Sequence, residues 1–197
     1  MSIVLKEILL IIAAYILGSV SFARIFSRLF RKVNVYKAGN FTADPGNVYH
    51  HVSKSIGILS WFIDFVRVYV ILFLTQYFFL KEHSVLLLFV GLAVVIAHYF
   101  PIFHNFLGGY SILPYIALLC YFAPIPTLII GIISLVVIIS WKQVRFSKYL
   151  MVIMVPALSN FYNPLKNVKV DAKYLFLASV IMGVVNYLVS RRRSNEI

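Results

Sequence analysis

Long apolar runs separated by short polar segments extend from one end of the chain to the other. A membrane-spanning helix needs about 20 mostly apolar residues, and fewer where protein partly surrounds it. Five runs satisfy this requirement, near residues 3–30, 56–80, 84–103, 126–141 and 174–190. Two shorter runs, near residues 111–122 and 149–161, raise the maximum to seven spans. The pattern predicts an all-α, polytopic transmembrane helix bundle that forms a single integral membrane domain over residues 1–197.

The composition excludes a soluble domain. Hydrophobic residues make up 62% of the chain and charged residues 12%, with a mean hydropathy of +0.94. Soluble domains contain roughly half apolar and about a quarter charged residues. Too few polar residues are therefore present to cover the surface of a fold of this size in water.

The charge is strongly basic, with 18 Lys and Arg residues against 6 Asp and Glu, a formal net charge of +12. In a soluble protein this excess would suggest a nucleic acid partner. Here the basic residues lie at the ends of apolar runs, so they indicate the cytoplasmic side of a membrane and no nucleic acid partner. They also suit an anionic lipid or an anionic substrate.

The distribution of basic residues favours seven spans over five. With seven spans and the amino terminus outside, 11 of the 18 Lys and Arg residues face the cytoplasm and 5 face outward. Without the two short spans, the cluster Lys142, Arg145 and Lys148 moves outside and the two sides carry 8 each. Because cytoplasmic loops carry the excess of Lys and Arg, the sequence predicts seven spans and a cytoplasmic carboxyl terminus.

Ionisable residues inside apolar spans are costly, so each is a functional candidate. Asp64 and Arg67 are three apart on one predicted helix and can pair across a turn. They form either a self-satisfied ion pair or part of an inner polar site. Arg24 is predicted to snorkel toward the membrane surface. His98 fits a general base, a residue that orients a loop, or a satisfied histidine, and its spacing from His104 predicts no metal site.

Several short motifs follow one another in a characteristic order. Residues 15–22 read YILGSVSF, and the first polar loop contains KAGN at 37–40 and ADPGN at 43–47. Asp64 and Arg67 match a D-x-x-K pattern, AHYFPIF at 97–103 matches G-H-x-F-P-x-F, and FLGGYS at 106–111 matches F-x-G-G-K-G. In this order the chain resembles the bacterial acyl-phosphate:glycerol-3-phosphate acyltransferases, the PlsY family, as a divergent member.

The resemblance implies acyl transfer from acyl phosphate to the 1-hydroxyl of glycerol 3-phosphate, giving lysophosphatidate for phospholipid synthesis. It implies a multi-pass protein of the bacterial cell membrane, in contact with membrane lipid, with no metal or other cofactor. The catalytic residues it implies are Asn40 and His98. The implied substrate-binding residues are Ser19, Lys37, Gly39, Asn47, Arg67, Gly108 and Gly109.

The chain departs from the family pattern in its first and second loops. The family's loop serine falls on Ala38, the lysine of its G-G-K-G motif falls on Tyr110, and Asp44 stands where the family has a threonine. Lys37, beside the lost serine, is a hypothetical replacement for the missing charge. Three interpretations follow: an active enzyme with a rearranged phosphate site, a weakened or inactive paralogue that binds lipid precursors or a partner enzyme, and a transporter or assembly factor that shares only the fold.

Overall fold

The described residues of the computed structural model, 3–79, 84–162 and 170–194, form nine α-helices and two 3-10 turns. The helices are α1 (Ile3–Gly18), α2 (Phe22–Arg31), α3 (Pro45–His51), α4 (Lys54–Phe78), α5 (Ser84–Tyr99), α6 (Leu113–Phe122), α7 (Pro124–Trp141), α8 (Val144–Tyr162) and α9 (Ala172–Ser194). The all-α prediction is confirmed for this part of the chain. The predicted outward-facing Lys81, Lys166 and Lys169, and the tail at 195–197, lie outside the described residues.

Among the described residues, five segments are long and apolar enough to cross a membrane: Ile3–Arg31, Lys54–Phe78, Val85–His104, Pro124–Trp141 and Ala172–Val189. They coincide with the five long apolar runs of the sequence. The two shorter runs are also helical, as α6 and α8. At 1.5 Å per residue, the 10 residues of α6 extend over only about half of a 30 Å hydrocarbon core.

Backbone contacts divide the chain into two compact units, Met1–Ala117 and Leu118–Ile197. The single domain over residues 1–197 stays a prediction. In the first unit α1 packs along α5, and α4 packs against α2, α3 and α5. The helices α1 and α5 lie close together at Gly18, where an added Cβ would lie 2.8 Å from the Cα of Val94. Glycine at this position therefore lets the two helix backbones come together.

The first predicted span, residues 3–30, is two helices and not one. The chain leaves helical geometry after Gly18 and resumes it at Phe22, where the Ser21 side chain accepts a hydrogen bond from the Arg24 amide. A serine N-cap satisfies an amide that the new helix leaves free. The second piece, α2, ends at Arg31, and the next residue, Lys32, caps it with a left-handed backbone (φ 56°) and an amide that donates to the Arg28 carbonyl.

The second unit contains α7, α8 and α9, which pack in sequence order. Serine hydroxyls link the neighbouring helices. Ser147 donates to the Ser134 carbonyl at 3.1 Å, and Ser179 donates to the Val152 carbonyl at 2.7 Å. Hydrogen bonds of this kind are typical between helices that are surrounded by lipid.

Candidate active site

Three ionisable residues form a buried ionic cluster in the first unit: Asp64 and Arg67 on α4, and His98 on α5. The Arg67 Nη2 lies 3.2 Å from the Asp64 Oδ1, which confirms the predicted pairing across one turn. The His98 Nδ1 lies 3.5 Å from the Arg67 Nη2 and 3.7 Å from the Asp64 Oδ2. Exposure of the three residues is 9% or less. The pair therefore also contacts the Nδ1 edge of the His98 ring.

The cluster is joined to the break in the first span. Arg67 donates a hydrogen bond to the carbonyl of Val20, in the non-helical segment between α1 and α2. Its guanidinium also lies over the Phe22 ring, 5.5 Å from the centroid. Non-helical backbone at membrane depth is tolerated where protein groups satisfy its polar atoms. Arg67 performs that role here.

The second loop, residues 100–112, wraps closely around His98. The Gly109 amide donates to the His98 carbonyl at 3.1 Å. A Cβ added at Gly109 would lie 2.8 Å from the His98 Nε2 and 3.1 Å from the Asp44 Oδ1, so a side chain at this position would press against the ring. A Cβ at Gly108 would likewise meet the His98 carbonyl. The two predicted substrate-binding glycines therefore shape the surroundings of the predicted catalytic histidine.

The His98 ring has different surroundings at its two nitrogens. The Nδ1 faces Asp64 and Arg67, whereas the buried Nε2 has no hydrogen-bond partner among the described residues. A buried polar atom without a partner is costly and calls for an explanation such as a catalytic role. Of the two ring nitrogens, the Nε2 is therefore the candidate for proton transfer.

Asp44 connects the first loop, residues 32–44, with the second. Its Oδ1 accepts from the Tyr110 amide at 2.8 Å, and its Oδ2 accepts from the Gly46 amide at 2.9 Å. The carboxylate thus caps α3 and also anchors the loop that covers His98. Asp44, which replaces the family's threonine, therefore accepts a hydrogen bond from the backbone of Tyr110, which replaces the family's lysine.

The Asn47 side chain holds the first loop in shape. It is 2% exposed, its amide nitrogen donates to the carbonyls of Thr42 at 2.9 Å and Ala38 at 3.0 Å, and its oxygen accepts from the Asn40 amide at 2.9 Å. Gly39 takes the left-handed conformation (φ 57°) that this tight loop requires. These bonds leave Asn47 as a loop-shaping residue, while Lys37, Gly39 and Asn40 are exposed on the loop.

The Ser19 side chain, another predicted substrate-binding group, is 1% exposed. Its hydroxyl donates to the Tyr15 carbonyl at 2.9 Å and accepts from the Ile102 amide at 3.3 Å. Tyr15 donates to the Phe100 carbonyl at 2.5 Å. Both contacts fasten the end of α1 to the start of the second loop, so Ser19 positions the loop that surrounds His98.

Arg24, which the sequence predicts to snorkel toward the membrane surface, has two side-chain contacts. Its guanidinium contacts the His104 Nε2 and lies 5.8 Å from the centroid of the Tyr36 ring. The Tyr36 hydroxyl in turn donates to the Leu107 carbonyl at 3.1 Å. Burial raises the pKa of Tyr36 to about 12, although Arg24 opposes the shift, so the hydroxyl remains a donor at neutral pH.

Together the helices and loops define an integral membrane protein with a buried ionic cluster beside a glycine-containing loop. Within the first unit the structure brings together Ser19, Arg67, His98, Gly108 and Gly109. Comparison with known proteins identifies the class more closely. The glycerol-3-phosphate acyltransferase family model matches residues 8–196. The chain therefore belongs to the glycerol-3-phosphate acyltransferase family.

Curated relatives and solved structures agree with this assignment. The chain is 28% identical to a glycerol-3-phosphate acyltransferase of Mycoplasma mobile, over 90% of the chain and 84% of the relative. It is 31% identical to that of Mycoplasmopsis pulmonis, over 79% and 70%. The fold matches a crystal structure of PlsY, an integral membrane glycerol 3-phosphate acyltransferase in its glycerol 3-phosphate form, with a TM-score of 0.76 and 22% identity over 96% of this chain and 90% of that one.

Proposed function

We propose that the protein transfers an acyl group from acyl phosphate to the 1-hydroxyl of glycerol 3-phosphate. The observation that carries the proposal is the His98 Nε2, buried and unpartnered among the described residues, beside Gly109 in a chain of this family. Membership of the family supports the acceptor and the reaction class. The basic net charge suits two anionic substrates.

The reaction requires a base and a charged environment. The glycerol oxygen attacks the carbonyl carbon of the acyl phosphate, the bond from that carbon to the phosphate oxygen breaks, and lysophosphatidate and inorganic phosphate result. The His98 Nε2 takes the hydroxyl proton. A base at Nε2 requires a proton on Nδ1, and the acceptor beside that proton is the Asp64 Oδ2, 3.7 Å away. Asp64 also offsets the positive charge that forms on the imidazole, while Arg67 holds Asp64 in place through their ion pair at 3.2 Å. No metal or other cofactor enters the scheme.

The first loop binds the phosphate of glycerol 3-phosphate. Lys37 is exposed on this loop and supplies the charge that Tyr110 and Ala38 cannot. Asn40, exposed beside it, donates hydrogen bonds to the developing oxyanion. Gly39 and Asn47 fix the backbone from which both side chains project. Ser19, Gly108 and Gly109 position the second loop against His98.

The test is formation of lysophosphatidate by the purified protein in lipid, from palmitoyl phosphate and radiolabelled glycerol 3-phosphate. Losing a charge-assisted contact costs about 1.5–3 kcal/mol, so Lys37→Ala should lower kcat/KM roughly ten- to a hundredfold. Lys148→Ala, an exposed lysine of the second unit, is the matched control and should leave turnover unchanged. Absence of product, under conditions in which an intact family member works, would contradict the proposal.

The second candidate is a weakened or inactive paralogue that binds lipid precursors or a partner enzyme. Asp44 favours this candidate. Position 110 carries tyrosine instead of the family's lysine, and its backbone amide donates to the Asp44 carboxylate. In that case the wild type should bind glycerol 3-phosphate without turnover, and Tyr110→Lys should raise activity above the wild type. Measurable turnover in the wild type that Tyr110→Lys does not raise would instead favour the rearranged active site.

For the whole chain we propose seven spans in a bacterial cell membrane, with the amino terminus outside and the carboxyl terminus in the cytoplasm. The distribution of Lys and Arg over the loops supports this orientation. The helical state of α6 and α8 supports the two additional crossings. Because α6 is short, its crossing depends on protein that surrounds it.

A further inference from the structure

A basic groove of about 510 Å³ runs along α2 in the first unit. Arg24, Arg28 and Lys32 line it, and the apolar side chains of Val20, Leu29 and Phe103 complete its walls. The three cations are four residues apart and therefore share one face of the helix. The volume lies within the range of about 300–1,000 Å³ that is usual for small-molecule sites.

The chemistry of the groove selects an amphiphilic anion. The described lining contains three cations and no carboxylate, which suits a phosphate group. The apolar walls suit an alkyl chain, and Leu29 is 68% exposed within a segment that is apolar enough to cross the membrane. One phosphate combined with one chain matches both features, whereas free phosphate matches only the first.

Hydrogen bonds connect residues in the walls of the groove to the residues around His98. Val20, in its wall, accepts a hydrogen bond from Arg67 of the buried ionic cluster. His104, also in its wall, contacts Arg24, and its carbonyl accepts from the Leu107 amide at 2.9 Å in the loop that covers His98. A ligand held by Arg24 therefore lies next to the segments that carry the reactive ring.

We propose that the basic groove binds the acyl phosphate donor, with Arg24 on its phosphate and the acyl chain along Val20 and Leu29. This inference rests on the proposed function, whose donor it locates. Arg24 has five N–H donors, of which the contact with His104 uses one, so the guanidinium can hold phosphate oxygens without leaving its place. Arg28 and Lys32 attract the same anion from further along the helix.

The first experiment measures the KM values of both substrates in Arg24→Gln. The donor KM should rise roughly tenfold or more while the KM of glycerol 3-phosphate changes less than about twofold. Arg24→Lys, which keeps the charge, should recover part of the loss. Arg31→Gln, at an exposed position of α2 outside the groove, is the matched control. An equal effect of Arg31→Gln, or a parallel change in both KM values, would overturn the proposal.

A second variant tests the acyl chain without touching the charge. Leu29→Trp narrows the groove, so the KM for palmitoyl phosphate should rise several-fold more than the KM for octanoyl phosphate. Leu17→Trp, at an exposed position of α1 outside the groove, should leave the ratio of the two KM values unchanged. An equal change for the long and short donors in Leu29→Trp would mean that the chain does not lie there.

Direct binding separates failure of the groove from failure of the proposed function. The probe is hexadecylphosphonate, a lipid anion that cannot transfer an acyl group, titrated into protein in neutral detergent. Binding that Arg24→Gln weakens at least tenfold, in a protein without turnover, would uphold the groove and reject the enzyme. Turnover with an unchanged donor KM in Arg24→Gln would uphold the enzyme and reject the groove. Displacement of the probe by equimolar dioleoyl phosphatidylglycerol would show an unselective site for membrane phospholipid and would also reject the groove.

Discussion

At the scale of single residues, the position of His98 depends on charges that are out of contact with water. Asp64 and Arg67 are 2% and 9% exposed, and each lies beside the ring. A buried ion pair is not itself a strong source of stability, but removal of one partner leaves the other charge buried and unpaired. The position of the His98 ring should therefore depend on the charge of a single side chain of α4.

Asp64→Asn should destabilise the protein by about 3–5 kcal/mol and reduce activity with it, because Arg67 would lose its counter-charge. The thermal unfolding midpoint in detergent measures the first effect. Asp171→Asn is the matched control, since its ion pair with Lys173 (3.3 Å) is largely exposed and contributes little. Equal shifts in the two variants would mean that the cluster is solvated.

The sequence predicted part of this site and not the rest. The pairing of Asp64 with Arg67 follows from their spacing of three residues on a helix. The role of Asn47 could not be predicted, because its partners are loop carbonyls whose positions depend on the folded loop. The contacts of Arg24 could not be predicted for a similar reason: its partners, His104 and Tyr36, come from other parts of the sequence.

At the scale of helices, the contact between α1 and α5 depends on the absence of a side chain at Gly18. The Cα and carbonyl oxygen of Val94 and the Cβ of Ala97 would each lie within 3.0 Å of a Cβ at that position. Two of these atoms belong to backbone, which cannot rotate away. Small residues permit such close approach between membrane helices.

Gly18→Ala should therefore destabilise the first unit by about 1–3 kcal/mol, the usual cost of overpacking. The thermal midpoint in detergent is again the measurement. The matched control is Gly131→Ala on α7, where no heavy atom lies within 4 Å of an added Cβ. That control should be neutral or slightly stabilising, because alanine favours a helix more than glycine does. A stable Gly18→Ala variant would show that α1 and α5 can separate.

The helices themselves were predictable because apolar runs of sufficient length have few alternatives in a membrane. The break after Gly18 was not. Serines favour helix caps, but Ser19 and Ser21 lie in an otherwise continuous apolar run. Two tertiary contacts stabilise the break, from the Ile102 amide to Ser19 and from Arg67 to the Val20 carbonyl. Neither is visible in the local pattern.

At the scale of the whole molecule, the number of crossings decides where the segment around Gln143, between α7 and α8, lies. With seven spans it is cytoplasmic, and with five it is outside. In a Cys120→Ser background, which removes the only cysteine, Gln143→Cys should react with a membrane-impermeant maleimide only after cells are lysed. Ser55→Cys, cytoplasmic in either arrangement, is the control for cell integrity. Labelling of Gln143→Cys in intact cells would reject seven spans.

The exposed apolar wall of the basic groove has a consequence for kinetics. Leu29 is open to its surroundings within the first apolar segment, so a donor bound there arrives by diffusing in the plane of the bilayer. If the groove binds the donor as proposed, the enzyme responds to the mole fraction of donor among the lipids and not to the amount per volume of suspension. Adding inert lipid at a constant quantity of donor would slow the reaction by surface dilution, while the water-soluble acceptor would be unaffected.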